Sequence, residues 1–148
     1  LEAIRRAASV AMGIAPDLET AGTISGPGIV FVAPPVAMTT LSGRQLTPAD
    51  MDIAVRVISN GQPHRATPLT GALCLSVATR LNGSIPNAMA RGLAADATSI
   101  RIGHPSGRIV VDAKVTAGAN GAEPVAEYAA VYRTARRLFE GRVLYRTL

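Results

Sequence analysis

The run Pro68-Leu69-Thr70-Gly71-Ala72-Leu73-Cys74 sets a hydroxyl residue and a glycine where the chain turns from polar to almost wholly apolar, from Ala72 to Leu81. That order suits the start of a helix. With Thr70 as N-cap and a glycine just inside it, a ligand can come close to backbone N–H groups that lack an intrahelical partner. The matching chemistry is capture of a carboxylate or phosphate, and stabilisation of charge that builds on oxygen when a proton leaves a neighbouring carbon. Thr70, Gly71 and Ala72 are the candidate contacts. The same residues would serve equally as the cap and packing contact of a buried helix, and spacing alone does not separate the two roles. Cys74, one turn in, is expected to be a small buried hydrophobe, because only the helix end would stabilise a thiolate there.

A second candidate is Gly103-His104-Pro105-Ser106-Gly107, where two glycines frame polar groups able to bond a ligand. A tight polar turn between strands accounts for the same residues. His64 and Arg65, just before the helix, can supply positive charge to a carboxylate or form a polar pair beside the helix start. His64 and His104 are the only histidines and no H-E-x-x-H spacing occurs, so no metal site is expected. The third cluster, Tyr132 to Gly141, reads as a short basic helix stopped by its glycine. Leu138 and Phe139 would face the core, the arginines solvent, and Glu140 would pair with Arg136.

The elements that must hold these groups follow from apolar spacing. Leu1 to Met12 predicts a helix ended by Gly13, and it starts without a capping residue, as in a chain cut from something longer. Gly28 to Ala33 predicts a strand buried on both faces. Thr47-Pro48-Ala49-Asp50 has the order that opens a helix, yet Asp50 to Ile58 also contains an apolar run suited to a strand, and propensity leaves both open. Beyond the apolar helix, strand signals at Ser99 to Ile102, Arg108 to Val115 and Ala126 to Arg133 alternate with turns at Gly103 to Gly107 and Gly118 to Gly121. The fold expected is α+β, a strongly bent or barrel-like sheet around one buried apolar helix, closed by residues 136–145.

Composition bounds the rest. With 148 residues, 48% apolar and only 3% aromatic, the chain can bury one aliphatic core and is expected to form one domain, residues 1–148. The net charge is +5, but all basic residues except Lys114 are arginines spread along the chain without interleaved aromatics, which argues against nucleic acid. The longest apolar stretch, Ala66 to Leu81, is broken by Pro68, Thr70, Ser76 and Arg80, so no membrane contact is expected. A single cysteine and no signal-peptide pattern point to a cytoplasmic setting.

In order, Met51-Asp52-Ile53 leading to Asn60-Gly61, His64-Arg65-Ala66, Thr70-Gly71-Ala72, Gly103 to Gly107, and Arg133-Thr134-Ala135-Arg136-Arg137-Leu138 with Gly141 resemble the second half of a known family. It is the PrpF family of 2-methylaconitate isomerases and 4-oxalomesaconate tautomerases. The resemblance implies a diaminopimelate-epimerase-like fold, with two pseudo-symmetric lobes, each a sheet around a central helix, and the active site between them. This chain would be the C-terminal lobe. The resemblance also implies a cofactor-independent proton shift or cis–trans isomerisation on an unsaturated di- or tricarboxylic acid. The acid and base, a cysteine and a lysine, belong to the other lobe, so no catalytic residue is inherited here and the lobe alone is expected to be inactive. Substrate binding falls to Thr70, Gly71, Ala72, Ser106 and Gly107, with His64, Arg65 and His104 adding charge and orientation. The related epimerases carry a cysteine directly before G-T-G-A, whereas this chain has Pro68-Leu69 before Thr70, which argues against a two-cysteine epimerase. Expected partners are a small carboxylate substrate, the N-terminal lobe of the same protein and, as a further possibility, a second copy. The alternative is a non-catalytic lobe that binds a carboxylate or associates with itself.

Overall fold

The computed structural model describes residues 1–59, 61–91, 93, 97–118, 122–132, 135–142 and 144–146. The chain opens with α1 (Glu2–Ala11) and α2 (Leu18–Thr23), the latter capped by Asp17, whose carboxylate accepts the Thr20 N–H at 2.7 Å. Next come β1 (Ile29–Ala33) and a two-stranded hairpin, β2 (Met38–Thr39) with β3 (Gln45–Leu46). Thr47-Pro48-Ala49-Asp50 begins only a single 3-10 turn, Pro48–Asp50, in which the Asp50 carboxylate accepts the Thr47 N–H and hydroxyl at 2.8 Å each. The ambiguous stretch after it is β4 (Ile53–Ser59), paired at its far end with β5 (Gln62–Pro63).

Then α3 (Leu69–Ala78) and α4 (Ile85–Met89) lead to β6 (Ser99–His104), β7 (Gly107–Thr116) and β8 (Val125–Val131). The main sheet runs β1-β4-β6-β7-β8, with β5 also on β4, and every pairing is antiparallel except β4 with β6. It is an α+β architecture in which a curled half-barrel sheet wraps one side of a helix.

Alternation along β4 explains how one strand serves two cores. Ile53 and Val55 point towards α3 and pack with Ala72, Leu75, Ile100, Ile102 and Val111. Ala54, on the opposite face, packs with Leu46 and Met51 under the β2–β3 hairpin. The start of β4 is fixed to β6 by Asp52, whose two carboxylate oxygens accept Arg101 Nη2 at 2.6 Å and the Arg101 backbone N–H at 2.7 Å. Gly103 leaves room here for Met51, since a Cβ at that position would lie 2.5 Å from Met51 Sδ and would displace that buried side chain.

Several expectations need correction. β1 is an edge strand, not buried on both faces, and Phe31 is 47% exposed. α3 is covered on one side only, so its apolar composition does not mean that it is surrounded. No helix forms over 135–140. Leu138 and Phe139 are 84% and 85% exposed, and Glu140 pairs with Arg137 at 2.7 Å in place of Arg136. A helix of barely two turns with nothing against its apolar side has too little to offset its nucleation cost. Residues beyond β8 therefore add nothing to the sheet among the described residues, and the barrel stays open. Arg133, Thr134 and Val143, like Asn60 and residues 119–121, lie outside the described residues.

Candidate functional site

The helix start is shifted by two residues from the expected one. Pro68, with φ −56° and ψ 144°, is the N-cap, so Leu69, Thr70 and Gly71 are the first three helical residues. Their N–H groups precede the helix's own ladder, which begins with the Ala72 N–H donating to the Pro68 carbonyl at 2.9 Å. Thr70 is therefore not the cap. Ala72 is also lost from the donor set, since its amide is engaged and its side chain lies fully inside the core.

One face of α3 turns Ala72, Leu75, Ser76 and Thr79 inward, which places Thr70, Gly71, Cys74 and Ala78 on the side left open by the curled sheet. Between that side and β1–β4 lies a cavity of about 610 Å³, walled by Val30, Val57, Leu75 and Pro86 and edged by Ser59, His64, Thr70 and Gly71. Of the predicted residues, Thr70, Gly71 and His64 come together here. A Cβ on Gly71 would meet nothing nearer than Pro68 Cδ at 4.0 Å, so the glycine keeps this approach open. Cys74, expected to be buried, is exposed on the cavity wall.

The other predicted group forms a separate corner. The Ser106 hydroxyl donates to the Arg65 carbonyl, and the Ser106 N–H donates to His104 Nδ1 at 3.2 Å. Gly107, at φ +142°, makes the turn into β7. None of Arg65, His104, Ser106 or Gly107 lines the cavity. His104 is buried at 8% exposure, and that burial, together with the charge of Arg56, pushes its pKa below the usual imidazole value. Its Nδ1 accepts a hydrogen bond within the turn, and the side chain lies away from the cavity.

Sequence reasoning missed the apolar wall. Val30 read as part of a strand buried on both faces and the stretch holding Val57 was open between helix and strand, whereas both line the opening beside the edge strand β1. The one readable signal was the helical spacing of residues 70, 71, 74 and 78, which are small or polar.

A half-barrel around a helix with this strand order is matched by a solved structure. The crystal structure of methylitaconate-delta-isomerase superposes with a TM-score of 0.74 and 28% identity over 90% of this chain and 35% of that one. The fold is thus that of a diaminopimelate-epimerase-like lobe. The model of the family described as PrpF protein matches residues 1–146. The 2-methyl-aconitate isomerase of Shewanella oneidensis is 35% identical over 143 residues, 96% of this chain and 35% of the relative. The 3-methylitaconate isomerase of Eubacterium barkeri is 34% identical over 146 residues, 97% of this chain and 37% of the relative. This chain belongs to the PrpF family, and it spans about a third of the length of these relatives.

Proposed function

We propose that the chain is the carboxylate-holding lobe of an isomerase that acts on unsaturated di- or tricarboxylic acids by a proton shift, tautomerisation or cis–trans isomerisation. The observation that carries this is the start of α3 opening, through Gly71, onto the cavity. A conjugated carboxylate gains negative charge on oxygen as a neighbouring proton leaves. N–H groups already fixed at a helix start, here those of Leu69, Thr70 and Gly71, meet that charge without reorganising. The apolar wall of Val30, Val57 and Leu75 suits the hydrocarbon part of such an acid. The acid and base are assigned to the part of a family-length protein outside this sequence, and the reaction is taken to need no cofactor. The relatives named for methylaconitate and methylitaconate isomerisation support substrates of this kind.

The test is direct. Tricarballylate, a saturated tricarboxylate, titrated into the ¹⁵N-labelled chain should shift the amides of Leu69, Thr70 and Gly71 and leave that of Thr79 in place. Gly71→Leu, which fills the approach, should weaken these shifts at least about tenfold. It should also stabilise the helix by up to about 1 kcal/mol relative to glycine. Unmoved amides at saturating tricarballylate would remove the reading's foundation.

A further inference from the structure

The α1 helix is anchored by its polar side and shows its apolar side to solvent. Arg5 and Ser9 are 4% and 0% exposed, whereas Leu1, Ile4 and Met12 are 56%, 66% and 64% exposed. These three lie along one helical edge, and Ile14 and Leu18 extend the apolar surface past the helix end at 44% and 56%. The anchoring is specific. Arg5 donates to the Ala21 carbonyl at 2.6 Å and the Gly26 carbonyl at 2.8 Å, and both oxygens of Glu2 accept from the same guanidinium. Rolling the helix to bury its apolar edge would leave those carbonyls and the buried cation without partners, which outweighs what one edge of a short helix gains.

We infer that this apolar edge is the surface on which the remainder of a family-length chain packs. The inference goes beyond the ligand site and rests on family membership alone. The matched relatives use only 35% and 37% of their length on this chain while nearly all of this chain is matched, so about two thirds of such a protein must be seated elsewhere. The exposed side chains of this edge, Leu1, Ile4 and Met12, are all apolar, and Arg5 beside them is buried, so its occupant is apolar over the same length. A contiguous apolar edge of this kind marks an interface more often than a solvated surface does.

The experiment places Ile4→Cys in a full-length chimera in which this chain replaces the matching third of the Shewanella oneidensis relative. Maleimide labelling at that peptide is followed by mass spectrometry and compared with the same substitution in the 148-residue chain at high dilution. Labelling at least about tenfold slower in the chimera is the expected result, because only local opening would expose the thiol. Equal rates in the two would overturn the proposal, as would protection in the short chain that fades on dilution, which would make a second copy the occupant. Should the chimera not fold, the cysteine goes into the aligned position of the relative itself, where rapid labelling of the folded protein would equally overturn it. The readout is independent of turnover and of tricarballylate binding, so failure of the ligand reading leaves this result interpretable.

Discussion

The two ten-residue helices, α1 and α3, are held to the molecule by opposite means. α3 is fixed by apolar burial of Ala72 and Leu75 against the sheet and leaves its small and polar side, Thr70, Gly71 and Cys74, open to a cavity. α1 is fixed by a buried guanidinium and leaves its apolar side open. In α1 the residues against the protein's own core, Arg5 and Ser9, are not the ones a hydrophobicity pattern alone would choose. A helix face is covered according to what this stretch of chain can satisfy, and the uncovered face points to what the stretch has been shaped to receive.

Perturbing each anchor sharpens the contrast. Leu75→Ala should cost about 2–5 kcal/mol in chemical denaturation, because Leu75 is 5% exposed within the main core. Arg5→Met should cost less, yet clearly more than a surface change, since it leaves the Ala21 and Gly26 carbonyls without their donor. A loss at Arg5 equal to that at Leu75 would break the distinction between a polar staple and an apolar core.

Acid should separate the helices next. Hydrogen bonds from Arg5 and then Arg6 hold the Glu2 carboxyl at about 2, below its usual 4.5. A depressed carboxyl contributes stability above its unfolded value and loses it as pH falls through the folded one. Amide exchange, corrected for its intrinsic pH dependence, should therefore rise along α1 between about pH 4.5 and 2 before it rises along α3, and Glu2→Gln should abolish that step. The smallest effect is expected at Ile4→Ser, within about 0.5 kcal/mol in this chain, because the side chain is 66% exposed. A cost near that of Leu75→Ala would mean that the apolar edge is already covered within the chain.

Much of this frame was legible from residue order. The expected helix at Leu1 to Met12 matches Glu2–Ala11, the first two late strands fall within β6 and β7, and the third overlaps β8, which ends at Val131 where the expectation ran past Tyr132. Local pattern sufficed there because apolar periodicity and flanking glycines agree. It failed where long-range partners decide. Ile53 to Ser59 is a strand because β1 and β6 flank it, and residues 135–140 are not helical, with Leu138 and Phe139 uncovered among the described residues. At the candidate site, a helix starts near Thr70 and Gly71 as expected, but its phase differs. Pro68 takes the cap position, which moves Thr70 into the helix and Ala72 into the core, a shift that a hydroxyl residue next to glycine conceals. His104 read as a candidate ligand group, and the structure places it in the turn beside Ser106, away from the cavity, a placement that a lone histidine in a sequence does not reveal.

The parallel pairing of β4 with β6 has a consequence in time. β4 and β6 are clamped by Asp52 and Arg101, which are 49 residues apart, and the whole of α3 lies in the intervening loop. Closing so long a loop is entropically slow compared with forming the hairpin of β6 and β7. Substitutions that weaken the Asp52–Arg101 clamp should then show most strongly in the rate of reaching the native state, with the hairpin forming at its usual pace.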